Sequence, residues 1–171
     1  MPAEPAQVRC MGCGGLFAEM EGPTHRYMLS VPGCWDAFGN LVGREFSGWW
    51  VGEVHRLVVD SYAVQHPGDG SRQAVQSVGL HLVALHLTLE KYVPNETVAR
   101  VLQVGAKGPV PFERLDPPTD PAWKTVLDVL AARSPSEHEA RARAWAASAW
   151  QGWHAYHATV RGWAGEILKA L

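Results

Sequence analysis

The sequence lacks most of the features that assign a function quickly. It has only three cysteines, Cys10, Cys13 and Cys34, all within its first fifth. An odd and small count excludes a disulfide framework, and in a reducing compartment such thiols are better explained as metal ligands. No stretch reaches the roughly 18 consecutive apolar residues of a membrane span. The opening MPAEPAQVRC has no apolar run, so neither a signal peptide nor an anchor is expected there. An excess of one charge is also missing. Fifteen Lys and Arg face seventeen Asp and Glu, for a net charge of −2, which leaves no electrostatic footprint for nucleic acid or anionic lipid. No Gly-rich phosphate loop, nucleophile elbow or dinucleotide fingerprint occurs, which argues against nucleotide-driven and serine-hydrolase chemistry. These absences predict a cytoplasmic protein with no membrane partner and little affinity for nucleic acid.

What is present is ordinary globular mass. With 171 residues, 47% apolar and 19% charged, the chain can bury one core and is too short for two comfortable domains. The expectation is a single domain over 1–171, with a metal-pinned leader over 1–34 and a helical bundle over 35–171.

The leader carries the strongest signal, a Cys-x2-Cys-x11-His-x8-Cys pattern through Cys10, Cys13, His25 and Cys34. Gly12, Gly14 and Gly15 supply the tight backbone by which two thiolates turn toward one ion. Residues 1–9, with Pro2 and Pro5, read as extended or disordered. Leu16–Met20 and Arg26–Leu29 read as two short strands around Glu21-Gly22-Pro23. A hairpin this small is marginal alone, and a metal clip would stabilise it. Cys34 follows Val-Pro-Gly and opens an apolar-periodic run, so it belongs at a helix N-terminus, where the dipole favours a thiolate. The expected cofactor is Zn2+ in a Cys3His site. His25 is the first choice for the fourth ligand, ahead of Asp36 or a distant histidine. The arrangement resembles zinc knuckles of the treble-clef kind, without their second Cys-x2-Cys pair.

The remainder reads as four to five main helices. Trp35–Phe46 and Gly52–Gln65 come first, the second stopped by His66-Pro67-Gly68, with Arg56 and Asp60 spaced as a surface ion pair. Ser71–Tyr92 is the most apolar helix, and Glu96–Val104 is a short one. A proline- and glycine-rich loop over 105–121 leads to a helix over Ala122–Arg133, capped by Asp120 and Pro121. The last helix begins at a Ser136/Glu139 capping box and runs toward Lys169, with Gly152 as a point of weakness. Trp150, Trp153 and His157 share one stripe of it.

The interior histidines admit a second reading. Asp60, His66, His81 and His157 form a candidate second metal site that would activate water or a thiol. The bland alternative is that each is a core polar group with its own partner, since an unpaired buried polar group costs about 1–3 kcal/mol. A third reading moves His66 to the cysteines as their fourth ligand.

The segments GPTHRYM (22–28), PGCW (32–35), VHRLVVDSYAVQHPG (54–68) and SRQAVQSVGLH (71–81) resemble a family of small uncharacterised bacterial proteins, a domain of unknown function. The resemblance runs from Cys10 to about Glu90 and implies no activity. It does place His55, Asp60, His66 and His81 in the family signature beside the cysteines. A weaker similarity is to DinB-like bundles, which hold a divalent metal with three histidines; there the late pair is His-x3-His, whereas this chain has His154-x2-His157. That similarity implies a metal-dependent hydrolase or thiol transferase. The expectations are thus a zinc protein of structural type meeting an unknown protein partner or closing its own bundle, or a metalloenzyme with a small-molecule substrate; self-association fits either.

Overall fold

The computed structural model describes residues 6–108 and 110–171; of the stretch 1–9 read as extended or disordered, residues 1–5 lie outside the described part. The chain is mainly helical with one small antiparallel strand pair. At its centre lies α2 (Gly52–Gln65), nine of whose fourteen residues are buried, so it cannot be a one-faced surface helix. It packs against α3 (Arg72–Leu89) and α6 (Pro135–Gly152). Two apolar clusters meet along it. Leu57 and Val64 join residues of α3, α4 (Asn95–Ala106), α6 and α7 (His157–Lys169), whereas Val54, Val58 and Tyr62 join α1 (Pro32–Arg44), α5 (Val126–Leu130) and the cysteines.

Helix starts follow local chemistry. Pro32 opens α1 with its fixed φ and places Cys34 in the first turn. The Ser71 hydroxyl accepts from the Ala74 amide and caps α3. The last helical region begins one turn-corner earlier than expected: Ser134, not Ser136, caps it by accepting from the Glu137 amide. It is also not continuous. After Gly152 the chain makes a short 3-10 turn, His154–Tyr156, before α7. A Cβ at Gly152 would press on the Trp123 ring, so the helix is interrupted where that indole crosses it.

Two further expectations are corrected. The expected helix over 122–133 shrinks to α5, capped by Thr125 and Asp128: Asp120 adopts φ 46, outside the conformation of a helix cap, and residues 121–125 form no regular element. The strand Leu16–Ala18 (β2) pairs not with Arg26–Leu29 but with Gln7–Arg9 (β1), in the register Val8 opposite Phe17. The cysteine knuckle is the turn of that hairpin: the Cys10 amide donates to the Gly15 carbonyl and the Gly14 amide to the Cys10 carbonyl, both at 2.9 Å. Gly14 has φ 75, the left-handed conformation glycine adopts without a Cβ clash. No helix among the described residues is long and apolar enough to cross a membrane.

Candidate metal centre

Cys10, Cys13, Cys34 and His66 meet in one place, all four buried, with their ligand atoms within 4.8 Å of one another. Three pieces of the fold supply them. The knuckle presents Cys10 and Cys13, the first turn of α1 presents Cys34, and the residue that ends α2 presents His66. Gly12 allows the approach, because a Cβ there would collide with the His66 ring and with the carbonyls of Gln65 and Leu29.

The spacing can be tested against coordination geometry. A tetrahedral ion with sulfur at about 2.3 Å and nitrogen at about 2.0–2.1 Å sets sulfurs about 3.8 Å apart, and sulfur about 3.6 Å from nitrogen. Cys13 Sγ lies 3.8 Å from Cys34 Sγ, and Cys34 Sγ lies 3.4 Å from His66 Nε2. A disulfide needs sulfurs at about 2.05 Å, and all three cysteines are free thiols. Both separations match edges of such a tetrahedron.

The surrounding groups orient the ligands. His66 Nδ1 sits 2.7 Å from the Tyr62 carbonyl one turn earlier, which places the proton on Nδ1 and leaves the Nε2 lone pair facing the sulfurs. The His66 ring stacks on Tyr62 (centroids 3.9 Å apart), and Tyr62 stacks on Phe38 (4.1 Å). The Tyr62 hydroxyl lies 3.6 Å from Cys34 Sγ, and burial followed by the neighbouring Cys34 thiol raises its pKa, keeping it a donor. Packed this closely, the thiols compete for one negative charge. Hydrogen bonds from Cys13 and then Cys34 hold Cys10 below the usual thiol range, while Cys10 pushes Cys13 up to about 12 and raises Cys34 as well. A divalent cation removes that competition, because it stabilises every coordinating thiolate at once. The donor set therefore fits a metal ion.

A scan against family models matches residues 8–154 to DUF5946, a family of unknown function. The chain belongs to that family. The match spans the whole Cys/His centre and most of the bundle, in agreement with the resemblance read from the sequence. No curated protein and no solved structure matches the chain.

Within this family member, the other candidate residues go elsewhere. His25 does not join the cysteines; its ring packs edge-on to Tyr27 and Trp35, at 4.5 and 5.2 Å between centroids. Asp36 accepts from Asn40 on the surface of α1. Nor do the four residues of the second candidate site converge. His66 is in the cysteine cluster, His81 Nδ1 donates to the fully buried Asp60 at 2.7 Å, and His157 lies flat on Trp150 with Nε2 bonded to the Trp150 carbonyl. Asp60 is thus taken by the part-buried His81, and Arg56, its expected partner, donates to Asn95. Each of these histidines has a partner of its own within the fold. Sequence reasoning gave Tyr62 no part in a site, although its position four residues before His66 puts both rings on one helix face. It also overlooked Gln65 and Trp123, which carry no metal-ligand pattern.

Proposed function

We propose that the protein binds zinc through Cys10, Cys13, Cys34 and His66, and that this centre is structural. The observation that carries the reading is the burial of three sulfurs and one imidazole nitrogen within 4.8 Å of one another, with the two separations 3.8 and 3.4 Å close to tetrahedral edges. Soft thiolates with one imidazole in a four-coordinate site suit zinc above the hard divalent ions. Four protein ligands fill the tetrahedron, and a catalytic centre would keep a position open for water or substrate. The ion's work is mechanical. It ties a hairpin of two three-residue strands, too small to be stable alone, to the start of α1 and the end of α2. Zinc sites of this class contribute on the order of 10 kcal/mol to folding, enough to decide whether the leader is folded at all. A reducing, cytoplasmic compartment suits the three free thiols.

Elemental analysis of the untagged protein tests this, with Cys13→Ser and His157→Ala beside wild type. One zinc per chain, kept in His157→Ala and lost together with cooperative unfolding in Cys13→Ser, is the expected result. Metal-free wild type of unchanged stability would overturn the reading.

A further inference from the structure

A second ordered array lies where α1 gives way to the π-helical turn Glu45–Trp49 and α2 begins. Glu45 opens that turn, and its side chain is 1% exposed. Its Oε1 accepts from His138 Nε2 at 2.8 Å and its Oε2 from His55 Nδ1 at 2.7 Å. Arg44 closes the far end, donating from Nη2 to His138 Nδ1 at 3.1 Å and to the Val129 carbonyl at 2.7 Å. A guanidinium only donates, so His138 Nδ1 accepts and its proton is on Nε2. A carboxylate only accepts, so the proton of His55 is on Nδ1. Two nitrogens of the array are engaged by no described residue: Arg44 Nε, a buried N–H, and His55 Nε2, a lone pair on a side chain that is 23% exposed and so the one within a ligand's reach.

The His55 ring stands beside an aromatic platform. The Trp50 ring is 4.5 Å from the imidazole, Phe46 is 5.6 Å from it, and the two rings are 4.8 Å apart. Phe46 is 68% and Trp50 48% exposed. The backbone kinks inside this turn at Gly48, whose φ of 124 is closed to other residues without strain. None of these residues belongs to the cysteine centre.

We propose that His55, Trp50 and Phe46 form a surface binding site for a phenolic group. The ring lies against the indole and phenyl faces, and the hydroxyl donates to His55 Nε2. The polarity is what selects the ligand. Glu45 fixes His55 as an acceptor, so the site takes a flat ring that bears a hydrogen-bond donor and discriminates against the same ring bearing an ether. A free phenol and a tyrosine side chain offer the same chemistry.

The test is NMR at pH 8 on protein labelled in histidine and tryptophan, titrated with 4-methylphenol, with 4-methylanisole, and with the peptide Gly-Tyr-Gly. Saturable shifts at His55 and Trp50 with the phenol, about tenfold weaker with the methyl ether, are expected for one lost hydrogen bond. The tighter of phenol and peptide identifies the source. His55→Ala, a change at a part-exposed side chain, should abolish the preference for phenol over ether. Glu45→Gln gives a sharper readout. Its amide oxygen must face His138 Nε2–H, which turns the amide NH2 toward His55 Nδ1 and moves the His55 proton to Nε2. The long-range 1H–15N spectrum then shows the opposite tautomer, and the preference for phenol disappears. Equal binding of phenol and ether, a wild-type His55 protonated on Nε2, or no saturable shift would each overturn the proposal. If Glu45→Gln does not fold, the ether comparison on wild type decides alone.

Discussion

The indole Nε1 of Trp123 donates to the carbonyl of Cys13 at 2.9 Å, joining positions 110 residues apart. The bond ties the segment before α5 to the knuckle. Gly152 leaves room for the ring; a Cβ there would come within 2.6 Å of Trp123 Cε3. Trp123→Phe keeps most of the packing and removes the donor, so urea unfolding should show a loss of about 1 kcal/mol. Zinc should also pass faster to a colorimetric chelator. Gly152→Ala displaces the same ring, and the two changes together should cost less than the sum of the single ones, since they act on one contact. Strict additivity would show that Trp123 does not mediate the effect of Gly152.

Gln65 is fully buried beside the ligand His66, and both ends of its amide are used. Its Nε2 donates to the Lys124 carbonyl at 2.7 Å, and its Oε1 accepts from Trp145 Nε1 at 2.9 Å. Gln65→Leu fills the space and strands an indole N–H and a carbonyl in the core. The expected cost is about 2–4 kcal/mol in denaturant unfolding, with one zinc still bound, because no ligand is touched. A loss under about 0.5 kcal/mol would mean that water or backbone movement satisfies both groups.

The sequence made helix positions legible wherever periodicity and a stop signal agreed. The run Gly52–Gln65, ended by His66-Pro67, coincides with α2. The expected tilt of Cys34 into a helix start rested on Val-Pro-Gly, a local signal, and α1 begins there. The misreadings share a cause: a long-range contact outweighed a local preference. Arg26–Leu29 had strand composition, yet β2 pairs backward across the knuckle, because the turn that gathers two cysteines also closes a hairpin. Asp120-Pro121 had capping chemistry, yet Trp123 is bonded to Cys13 and no helix forms before Val126. His25 lay between the cysteines in sequence, but spacing along the chain says nothing about which of eight histidines the fold carries to them. That information lies in the packing of α2 against the leader, which no window of the sequence contains.

Acid protonates the ligands of a thiolate–imidazole metal centre, and it should also act on a second part of the molecule. Glu90, at the end of α3, accepts from Arg161 at 2.7 and 3.0 Å, from Trp150 Nε1 at 3.1 Å and from His86 Nδ1 at 2.8 Å. The Arg161 guanidinium, followed by the Trp150 and His86 donors, holds its carboxyl down at about 2. The folded pKa is below the unfolded value, so the ion pair stabilises the fold above about pH 4.5, and that contribution is lost as pH falls toward 2. Glu90→Gln should be less stable than wild type at pH 7, and the difference should close by pH 2. A difference that stays constant across this window in thermal unfolding would show that packing, and not charge, accounts for it.

The sharpest separation concerns the two histidines that compete for the fourth position. His66 presents Nε2 to Cys34 at 3.4 Å and has its other nitrogen committed to the Tyr62 carbonyl, whereas His25 packs on Tyr27 and Trp35 outside the cluster. His25→Ala should therefore keep one zinc per chain with unchanged affinity. His66→Ala leaves three thiolates and a space that water can fill, and zinc affinity should fall by about 10²-fold or more, with a matching loss of thermal stability. His66→Cys restores a fourth soft ligand at the end of α2 and should recover most of the metal content, though a shorter side chain asks the knuckle to move inward. Competition with a chelator of known affinity reads all three variants on one scale. If His25→Ala loses the metal and His66→Ala does not, the leader binds its ion alone, and α2 merely packs against a site that was complete without it.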